Sequence, residues 1–436
     1  MSFFKENKTK SSKKEKTGAN SDIKKMADSS SVDNDKMPEI NIGMVGHVDH
    51  GKTSLTQALT GKWTDIHSEE VKRGITIRLG YADSSFFYCK KCSKYSLTDK
   101  CISCFSPAEY IRTVSFVDAP GHESLMATVL SGTALMDGAI LVISADERCP
   151  QPQTSEHLKA LDIGEIKNIV IVQNKIDLVD EERALKNYGE IKEFVKGTVA
   201  ENSPIIPISA AHNINIDTLI ETIEKNMPTP NRDMDKDPKF YTARSFDVNK
   251  PGTDIDNLKG GVIGGSITEG VLRINDSVII TPGLKEEKTG MYNPITTKIV
   301  GIIQGGKQRD EGKPGGLVAL QTELDPSLSK GDKLSGNIVG YEGKLPGLLY
   351  VIRFKINLLD HVVGLKTNQK IDNIKTGDAL MLTATIAKTV GVVTSSNNQT
   401  AEIKLKIPLA VSKEDKIAIS KQVGGRWHLV GWGAVC

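Results

Sequence analysis

The sequence has no apolar run approaching the roughly 20 residues that a membrane-spanning helix requires. Its N-terminus also lacks the apolar segment of a secretory signal. These absences argue against membrane and secreted proteins, and we expect a cytoplasmic protein that binds no membrane. The formal net charge of +2 is too small to indicate nucleic-acid binding by itself. No basic stripe interleaved with aromatic residues stands out, so any basic surface must be local.

Cysteine is also scarce, but it is clustered. Four of the six cysteines form two Cys-x-x-Cys pairs, Cys89 with Cys92 and Cys101 with Cys104. In a cytosolic chain such pairs suggest a metal before a disulfide. Four thiolates can bind one tetrahedral Zn²⁺, and they leave no open position for catalysis. The spacing therefore predicts a structural zinc knuckle over residues 89–104; reduced structural thiols, or a redox role for either pair, are the alternatives.

The N-terminal residues 1–38 are polar, with nine Lys against six Asp and Glu. We expect a disordered tail, because so few apolar residues cannot form a core. Its lysines could contact RNA phosphates, or the tail could be a dispensable solvated extension. The full length of 436 residues suffices for about two to four domains, each with its own core.

A phosphate-binding loop is predicted at residues 46–53, Gly-His-Val-Asp-His-Gly-Lys-Thr, between an apolar strand and a helix. Glycines there let successive backbone N–H groups turn toward a polyanion at the positive end of the helix. Lys52 would reach the outer phosphates, and the Thr53 hydroxyl would hold Mg²⁺. An ordinary Gly-rich turn is the alternative. The nucleotide-binding residues expected in this loop are Gly46, Asp49, His50, Gly51, Lys52, Thr53 and Ser54.

Two later segments could sense the terminal phosphate. Arg-Gly-Ile-Thr-Ile at 73–77 contains Thr76, whose hydroxyl could bind Mg²⁺, although these residues could simply begin the next strand. Asp-Ala-Pro-Gly-His at 118–122 follows an apolar strand, so Asp118 could hold Mg²⁺ through a water and the Gly121 N–H could meet the γ-phosphate. His122 would lie at a helix start beside the triphosphate, in a catalytic or a purely structural role.

Two more strand ends supply groups suited to guanine. Asn174, Lys175 and Asp177 follow a short apolar strand. A carboxylate can accept hydrogen bonds from guanine N1 and N2, a donor pair that adenine lacks. A further strand leads to Ser209, Ala210 and Ala211, whose backbone could meet guanine O6. The four motifs at strand ends, residues 46–53, 118–122, 174–177 and 209–211, together predict a GTP-binding α/β domain over residues 39–232, with a mostly parallel sheet covered by helices on both faces.

Beyond residue 232 the pattern changes to short, β-branched strands separated by Gly and Asn-Asp turns. We expect two β-barrel domains, residues 233–343 and 344–436. One predicted strand of the first barrel runs from Gly270 to Pro282. Trp427 and Trp432 are expected in the core of the second barrel rather than on a binding surface.

The motifs at residues 46–53, 73–77, 118–122 and 174–177 together resemble those of translational GTPases. The cysteine knuckle, Cys-Pro-Gln-Pro-Gln-Thr at 149–154 and Arg-Ser-Phe-Asp-Val-Asn-Lys-Pro-Gly at 244–252 are similar to the gamma subunits of archaeal and eukaryotic translation initiation factor 2, over roughly residues 39–436. The resemblance implies hydrolysis of GTP to GDP with Mg²⁺, and GTP-dependent binding of initiator methionyl-tRNA. It also implies alpha and beta partner subunits, delivery of the tRNA to the small ribosomal subunit, and barrels that pack on the GTPase domain.

The resemblance assigns roles to individual residues as well. His122 would position the attacking water, while Lys52 and Thr76 would be the other catalytic groups. Val48 and Ile75 would form an apolar gate that keeps the histidine away from the water until the ribosomal complex triggers it.

Asp49 and Gly74 match positions that could serve a second Mg²⁺ in this family. Three rival functions stay open on the sequence alone. They are an elongation-type or selenocysteine-type tRNA carrier, a GTPase that drives sulfate activation, and a passive zinc-bearing scaffold that merely binds GTP.

Overall fold

The computed structural model describes residues 36–64, 79–122, 125–364, 369–397 and 399–436. The predicted Gly74, Ile75 and Thr76, and the tail up to residue 35, lie outside these ranges. Within them, no helix has both the length and the apolar character needed to cross a membrane.

The first domain contains one seven-stranded sheet. Its strands are β1 (Pro38–Gly46), β2 (Gly80–Cys89), β3 (Lys94–Ser96), β4 (Glu109–Asp118), β5 (Gly138–Ser144), β6 (Ile169–Asn174) and β7 (Ile205–Pro207). Their order across the sheet is β3-β2-β4-β1-β5-β6-β7. The five strands from β4 to β7 in this order are parallel, whereas β2 is antiparallel to both of its neighbours. The predicted, mostly parallel sheet is confirmed.

Helices cover both faces of this sheet, which is why β5 is buried along its whole length. The described helices of this domain are α1 (Lys52–Thr60), α2 (Met126–Thr133), α3 (Pro152–Ile163), α4 (Glu181–Val195) and α5 (Ile216–Asn226). Side chains of α1 and α5 share one apolar core with β1, while α2, α3 and α4 contribute to the core on the opposite face.

The spacing of apolar residues in the sequence predicts a helix over residues 123–136, whereas α2 ends earlier, at Thr133. The backbone N–H groups of Leu135 and Met136 bond three residues back, to Gly132 and Thr133. These tighter turns take the chain out of the helix while its apolar side chains stay in the core.

A middle barrel follows. Its strands are β8 (Lys239–Phe246), β9 (Val262–Glu269), β10 (Leu272–Arg273), β11 (Ser277–Lys285), β12 (Tyr292–Gln304), β13 (Lys307–Arg309), β14 (Glu311–Gly312), β15 (Val318–Thr322) and β16 (Ile338–Gly340), and the short helix α6 spans Pro326–Ser329. The order β11-β16-β8-β9-β15-β12 closes into a ring because β11 also pairs with β12. The single strand predicted from Gly270 to Pro282 is wrong. It is two strands, because Asn275 adopts a left-handed conformation and Asp276 N–H bonds to the Arg273 carbonyl.

The C-terminal barrel is a closed ring in the order β17-β20-β19-β18-β21-β22. Its strands are β17 (Leu348–Leu358), β18 (Ala379–Ala384), β19 (Ala387–Ser396), β20 (Thr400–Ala410), β21 (Lys416–Val423) and β22 (Arg426–Val435). Trp432 is partly buried against the core that this barrel shares with the first domain. Trp427 is also partly buried.

Both barrels contact the first domain through hydrogen bonds between polar side chains, buried in the middle barrel and half-buried in the C-terminal barrel. Asn41 of β1 donates to Ser266 Oγ at 3.1 Å and accepts from the Gly316 N–H at 2.8 Å, which attaches the middle barrel. Lys388 of β19 donates to Thr128 Oγ1 of α2 at 3.0 Å, which attaches the C-terminal barrel. The two barrels therefore pack on the domain that carries the predicted nucleotide site.

Candidate nucleotide-binding site

The phosphate loop connects β1 to α1, as the sequence predicts. Asp49 and Gly51 both adopt left-handed conformations, with φ of 60° and 89°. Gly51 directly precedes the helix, and a Cβ there would collide with the side-chain amide of Asn174. Glycine is therefore required at this position for conformation and for space. Ser54 lies in the first turn of α1.

Lys52 folds back over the loop. Its Nζ donates to the His47 carbonyl at 2.6 Å. Gly121 approaches from the end of β4, where an added Cβ would lie 2.9 Å from the Val48 nitrogen and 2.5 Å from Lys52 Nζ. The structure thus places Gly121 against both the loop and its lysine, and only a glycine leaves that space open.

Thr53 and Asp118 meet at the carboxyl ends of β1 and β4. Thr53 Oγ1 donates to Asp118 Oδ2 at 2.9 Å, and Asp118 is fully buried. A hydroxyl and a carboxylate are the hard oxygen donors that Mg²⁺ prefers, so these residues fit that ion. Thr64 Oγ1 donates to the same carboxylate oxygen at 2.6 Å. Sequence reasoning missed Thr64, because a single hydroxyl shortly after α1 belongs to none of the predicted motifs.

The residues predicted to recognise the base lie beside the phosphate loop. Asn174 Nδ2 donates to the His50 carbonyl at 2.9 Å, and Asn174 Oδ1 accepts from the Ala210 N–H at 3.1 Å. Asn174 therefore ties the two loops together. A hydrogen bond from Ser209 lowers the pKa of Asp177 below its usual value, which keeps its carboxylate ionised.

Two further predicted site residues, Lys175 and Ala211, lie next to these groups. Lys175 adopts a left-handed conformation between Asn174 and Asp177, with φ of 62°. Ala211 is exposed next to Ala210.

Hydrogen bonds of two histidines, His157 and His50, connect the phosphate loop to the elements around it. His157 of α3, which sequence reasoning missed, accepts a hydrogen bond from the Gly46 N–H through Nδ1 at 2.8 Å. Burial, followed by the nearby charge of Lys52, holds the pKa of His157 well below its usual value, so the ring is neutral. His50 Nδ1 donates to the Val142 carbonyl at 3.1 Å, and burial lowers the pKa of His50 to about 3. His50 Nε2 lies 3.6 Å from a carboxylate oxygen of Glu147. Because the histidine ring is neutral at neutral pH, this contact is no ion pair there.

His122 follows Gly121 and is partly buried. Its carbonyl accepts from the Leu125 N–H at 2.9 Å, just before α2 begins. Gly121 packs against Lys52 of the phosphate loop, and His122 is the next residue along the chain. Ile75, the other half of the predicted gate with Val48, lies outside the described residues.

The four clustered cysteines come together at the far end of β2. All four are free thiols, and their sulfur atoms lie within 4.8 Å of one another. Cys89 Sγ is 3.5 Å from Cys104 Sγ, and Cys92 Sγ is 3.2 Å from Cys101 Sγ. Tetrahedral zinc with Zn–S bonds of about 2.3 Å requires sulfur atoms about 3.8 Å apart. The donor set and its dimensions fit a structural zinc ion.

Comparison with known proteins decides the family. Residues 37–229 match the elongation factor Tu GTP binding domain, and residues 350–435 match the C-terminal domain of initiation factor eIF2 gamma. The translation initiation factor 2 subunit gamma of Methanocaldococcus jannaschii is 56% identical over 402 residues, which cover 92% of this chain and 98% of that protein. The chain belongs to the initiation factor 2 gamma subunit family. It is a GTP-hydrolysing enzyme of translation initiation.

Other initiation factor 2 gamma subunits are similar to this chain to about the same degree. The Pyrococcus horikoshii protein is 54% identical, again over 92% of this chain and 98% of its own length. A bacterial selenocysteine-specific elongation factor superposes with a TM-score of 0.68 at 24% identity, covering 92% of this chain and 58% of that one. The factor SelB of Methanococcus maripaludis, solved with a GTP analogue, gives 0.67 at 22% identity and covers 92% of this chain and 80% of that one. These two structures share the fold.

Proposed function

We propose that this gamma-subunit family member carries initiator methionyl-tRNA to the small ribosomal subunit, in the cytoplasm, as part of a heterotrimer with alpha and beta subunits. The observation that carries the proposal is the similarity to initiation factor 2 gamma subunits over 92% of the chain, both barrels included. GTP would order the segments around Thr76 and after Asp118, and that order would raise the affinity for tRNA. Hydrolysis to GDP would release it.

Guanine would be selected by Asp177. Its carboxylate is held ionised by Ser209 and can accept from both N1 and N2 of the base. Backbone N–H groups of residues 209–211 would meet guanine O6. Asn174 fixes the spacing between this loop and the phosphate loop through its two hydrogen bonds.

Hydrolysis would proceed by attack of water on the γ-phosphorus. The water oxygen forms a bond to phosphorus, the bond to the β–γ bridging oxygen breaks, GDP departs with that electron pair, and the proton lost by the water passes to an oxygen of the phosphate produced. His122 would orient the water, and Lys52 would neutralise charge on the outer phosphates. The Gly121 N–H would donate to a γ-phosphate oxygen. Val48 and Ile75 would restrain His122 until the ribosomal complex releases it, so we expect slow intrinsic turnover.

Metal ions would be held by groups in the same loops. Thr53, Thr76 and Asp118 would hold one Mg²⁺, which when bound supplies positive charge beside the β- and γ-phosphates. Asp49 and Gly74 would serve a second. The four cysteines would hold Zn²⁺ in a purely structural role.

Discrimination between tRNAs tests this proposal against its rivals. The assembled heterotrimer with a GTP analogue should bind initiator methionyl-tRNA in preference to elongator methionyl-tRNA. An elongation-type or selenocysteine-type carrier would lack this preference for the initiator. A sulfate-activation GTPase would show no GTP-dependent affinity for any tRNA.

A further inference from the structure

Two consecutive buried residues of α3 contact two different parts of the molecule. His157 accepts the hydrogen bond from Gly46 at the start of the phosphate loop, at 2.8 Å. Its neighbour Glu156 places Oε1 3.3 Å from Nδ1 of His428, in β22 of the C-terminal barrel. Glu156 and His157 are each 1% exposed, and His428 is 4% exposed. Neither contact is a surface ion pair.

Helix geometry makes these contacts parts of one rigid element. Successive residues of an α-helix point about 100° apart, so adjacent side chains can reach separate neighbours without a flexible segment between them. The C-terminal barrel also packs directly on the Glu156 carboxylate, since a Cβ at Gly364 would collide with it. A shift of the barrel at this point must therefore move α3 or break the contact.

We infer that α3 couples the C-terminal barrel to the phosphate loop, with His157 as the positioning residue for Gly46 and Glu156 as its link to His428. Docking of the barrel then tightens nucleotide binding, because it holds α3 and its hydrogen bond to Gly46 in place. By linkage, a nucleotide in the loop strengthens docking of the barrel by the same factor. The inference requires a guanine nucleotide in the loop, but it is independent of the proposed tRNA role.

Another contact between the same two domains supplies a matched control. Lys416 of β21 lies 2.7 Å from Glu165, in the loop that follows α3. This ion pair also joins the C-terminal barrel to the first domain. It is more exposed, and Glu165 does not neighbour a residue that bonds to the phosphate loop.

The test is the rate at which a fluorescent GDP analogue leaves the full chain. His428→Leu should accelerate release by about twofold to thirtyfold, the range expected for a coupling interaction. His428→Gln, which keeps a hydrogen-bonding side chain, should restore most of the wild-type rate. Lys416→Gln should leave the rate nearly unchanged. Should His428→Leu fail to fold, Glu156→Gln tests the same link with little change of shape, and an unchanged release rate for it would equally contradict the coupling.

A double-mutant cycle separates coupling from general loosening. His157→Leu should accelerate release by itself, and adding His428→Leu should have little further effect, because the two variants break the same path. Multiplicative effects of the two substitutions would overturn the inference. So would an equal acceleration by Lys416→Gln, or a wild-type rate for His428→Leu.

Discussion

The Thr53 hydroxyl donates a 2.9 Å hydrogen bond to Oδ2 of Asp118, although the two residues are 65 positions apart in the sequence. They meet because β1 and β4 are parallel neighbours, so the loops that follow them lie at the same edge of the sheet. The loops after β6 and β7 open at that edge too, and Asn174 bonds to the phosphate loop. The loops at this one edge of the sheet can therefore contact a base and a phosphate chain at the same time.

Asp118→Asn should weaken Mg²⁺-dependent GTP binding about 10- to 100-fold, because the substitution replaces a negatively charged carboxylate near the ion with a neutral amide. Titration of Mg²⁺ against the GTP-bound chain measures the change. Thr60→Val is the control, since Thr60 bonds within α1 and to the adjoining Lys62 backbone. Matching titration curves for Asp118→Asn and the wild type would exclude Asp118 from the metal site.

Asp177→Asn should lower GTP affinity by about 100-fold or more, because the amide cannot accept both guanine N–H donors. The variant should gain affinity for xanthosine triphosphate, whose base has an acceptor oxygen where guanine has the amino group. Calorimetry with both nucleotides measures the exchange of preference. Asp180→Asn, which changes only the cap of α4, should keep the preference for guanine. A variant at Asp177 that still selects GTP would contradict this role.

His122→Ala should slow stimulated GTP hydrolysis by about 100-fold, the usual contribution of a side chain that manages a proton or a water, while GTP affinity stays within about twofold. Single-turnover phosphate release on the ribosomal complex measures the rate. His361→Ala, at an exposed position of the C-terminal barrel, is the control. Unchanged turnover in His122→Ala would favour a passive GTP-binding scaffold.

Zinc should be present at one ion per chain, and Cys101→Ser should lose it and lower the unfolding temperature. GTP affinity should hardly change. Gly80 at the start of β2 pairs with Asp118, whereas Cys89 ends the strand nine residues further on, about 30 Å away. Elemental analysis and GTP titration measure both outcomes, with Cys436→Ser as the control. Full zinc content in Cys101→Ser would contradict the four-thiolate site.

Sequence patterns predict the parts of the site whose determinants are local. Gly51 and Lys52 sit in one short motif, and Asp118 ends a recognisably apolar strand, so their positions follow from spacing. Thr64 and His157 could not be found in this way. Each reaches the site only because of how its segment packs, and neither stands in a distinctive motif.

The same reasoning applies to the fold. Alternating and continuous apolar runs predict the sheet and the two barrels. The end of α2 at Thr133 depends on a tight turn that leaves the apolar pattern intact. The division between β10 and β11 depends on the left-handed conformation of Asn275. The contact between Glu156 and His428 joins residues whose spacing carries no signal at all.

Burial lowers the pKa of Lys388 to about 8. An unfolded lysine keeps its proton to a pH of about 10.4, so between about pH 8 and 10 the unfolded chain binds the extra proton. The contribution of Lys388 to the free energy of unfolding should therefore rise with pH in that window. Lys388→Met should lack this rise. Thermal unfolding of both chains from pH 7.5 to 9.5 measures the difference, and parallel profiles would show that Lys388 is solvated.

The most direct measurement is the affinity of the assembled heterotrimer for initiator methionyl-tRNA, with a non-hydrolysable GTP analogue and with GDP. A switch of ordinary strength predicts binding at least about tenfold tighter with the GTP analogue. Equal affinity in the two nucleotide states would contradict the proposal that this GTPase carries and releases the tRNA.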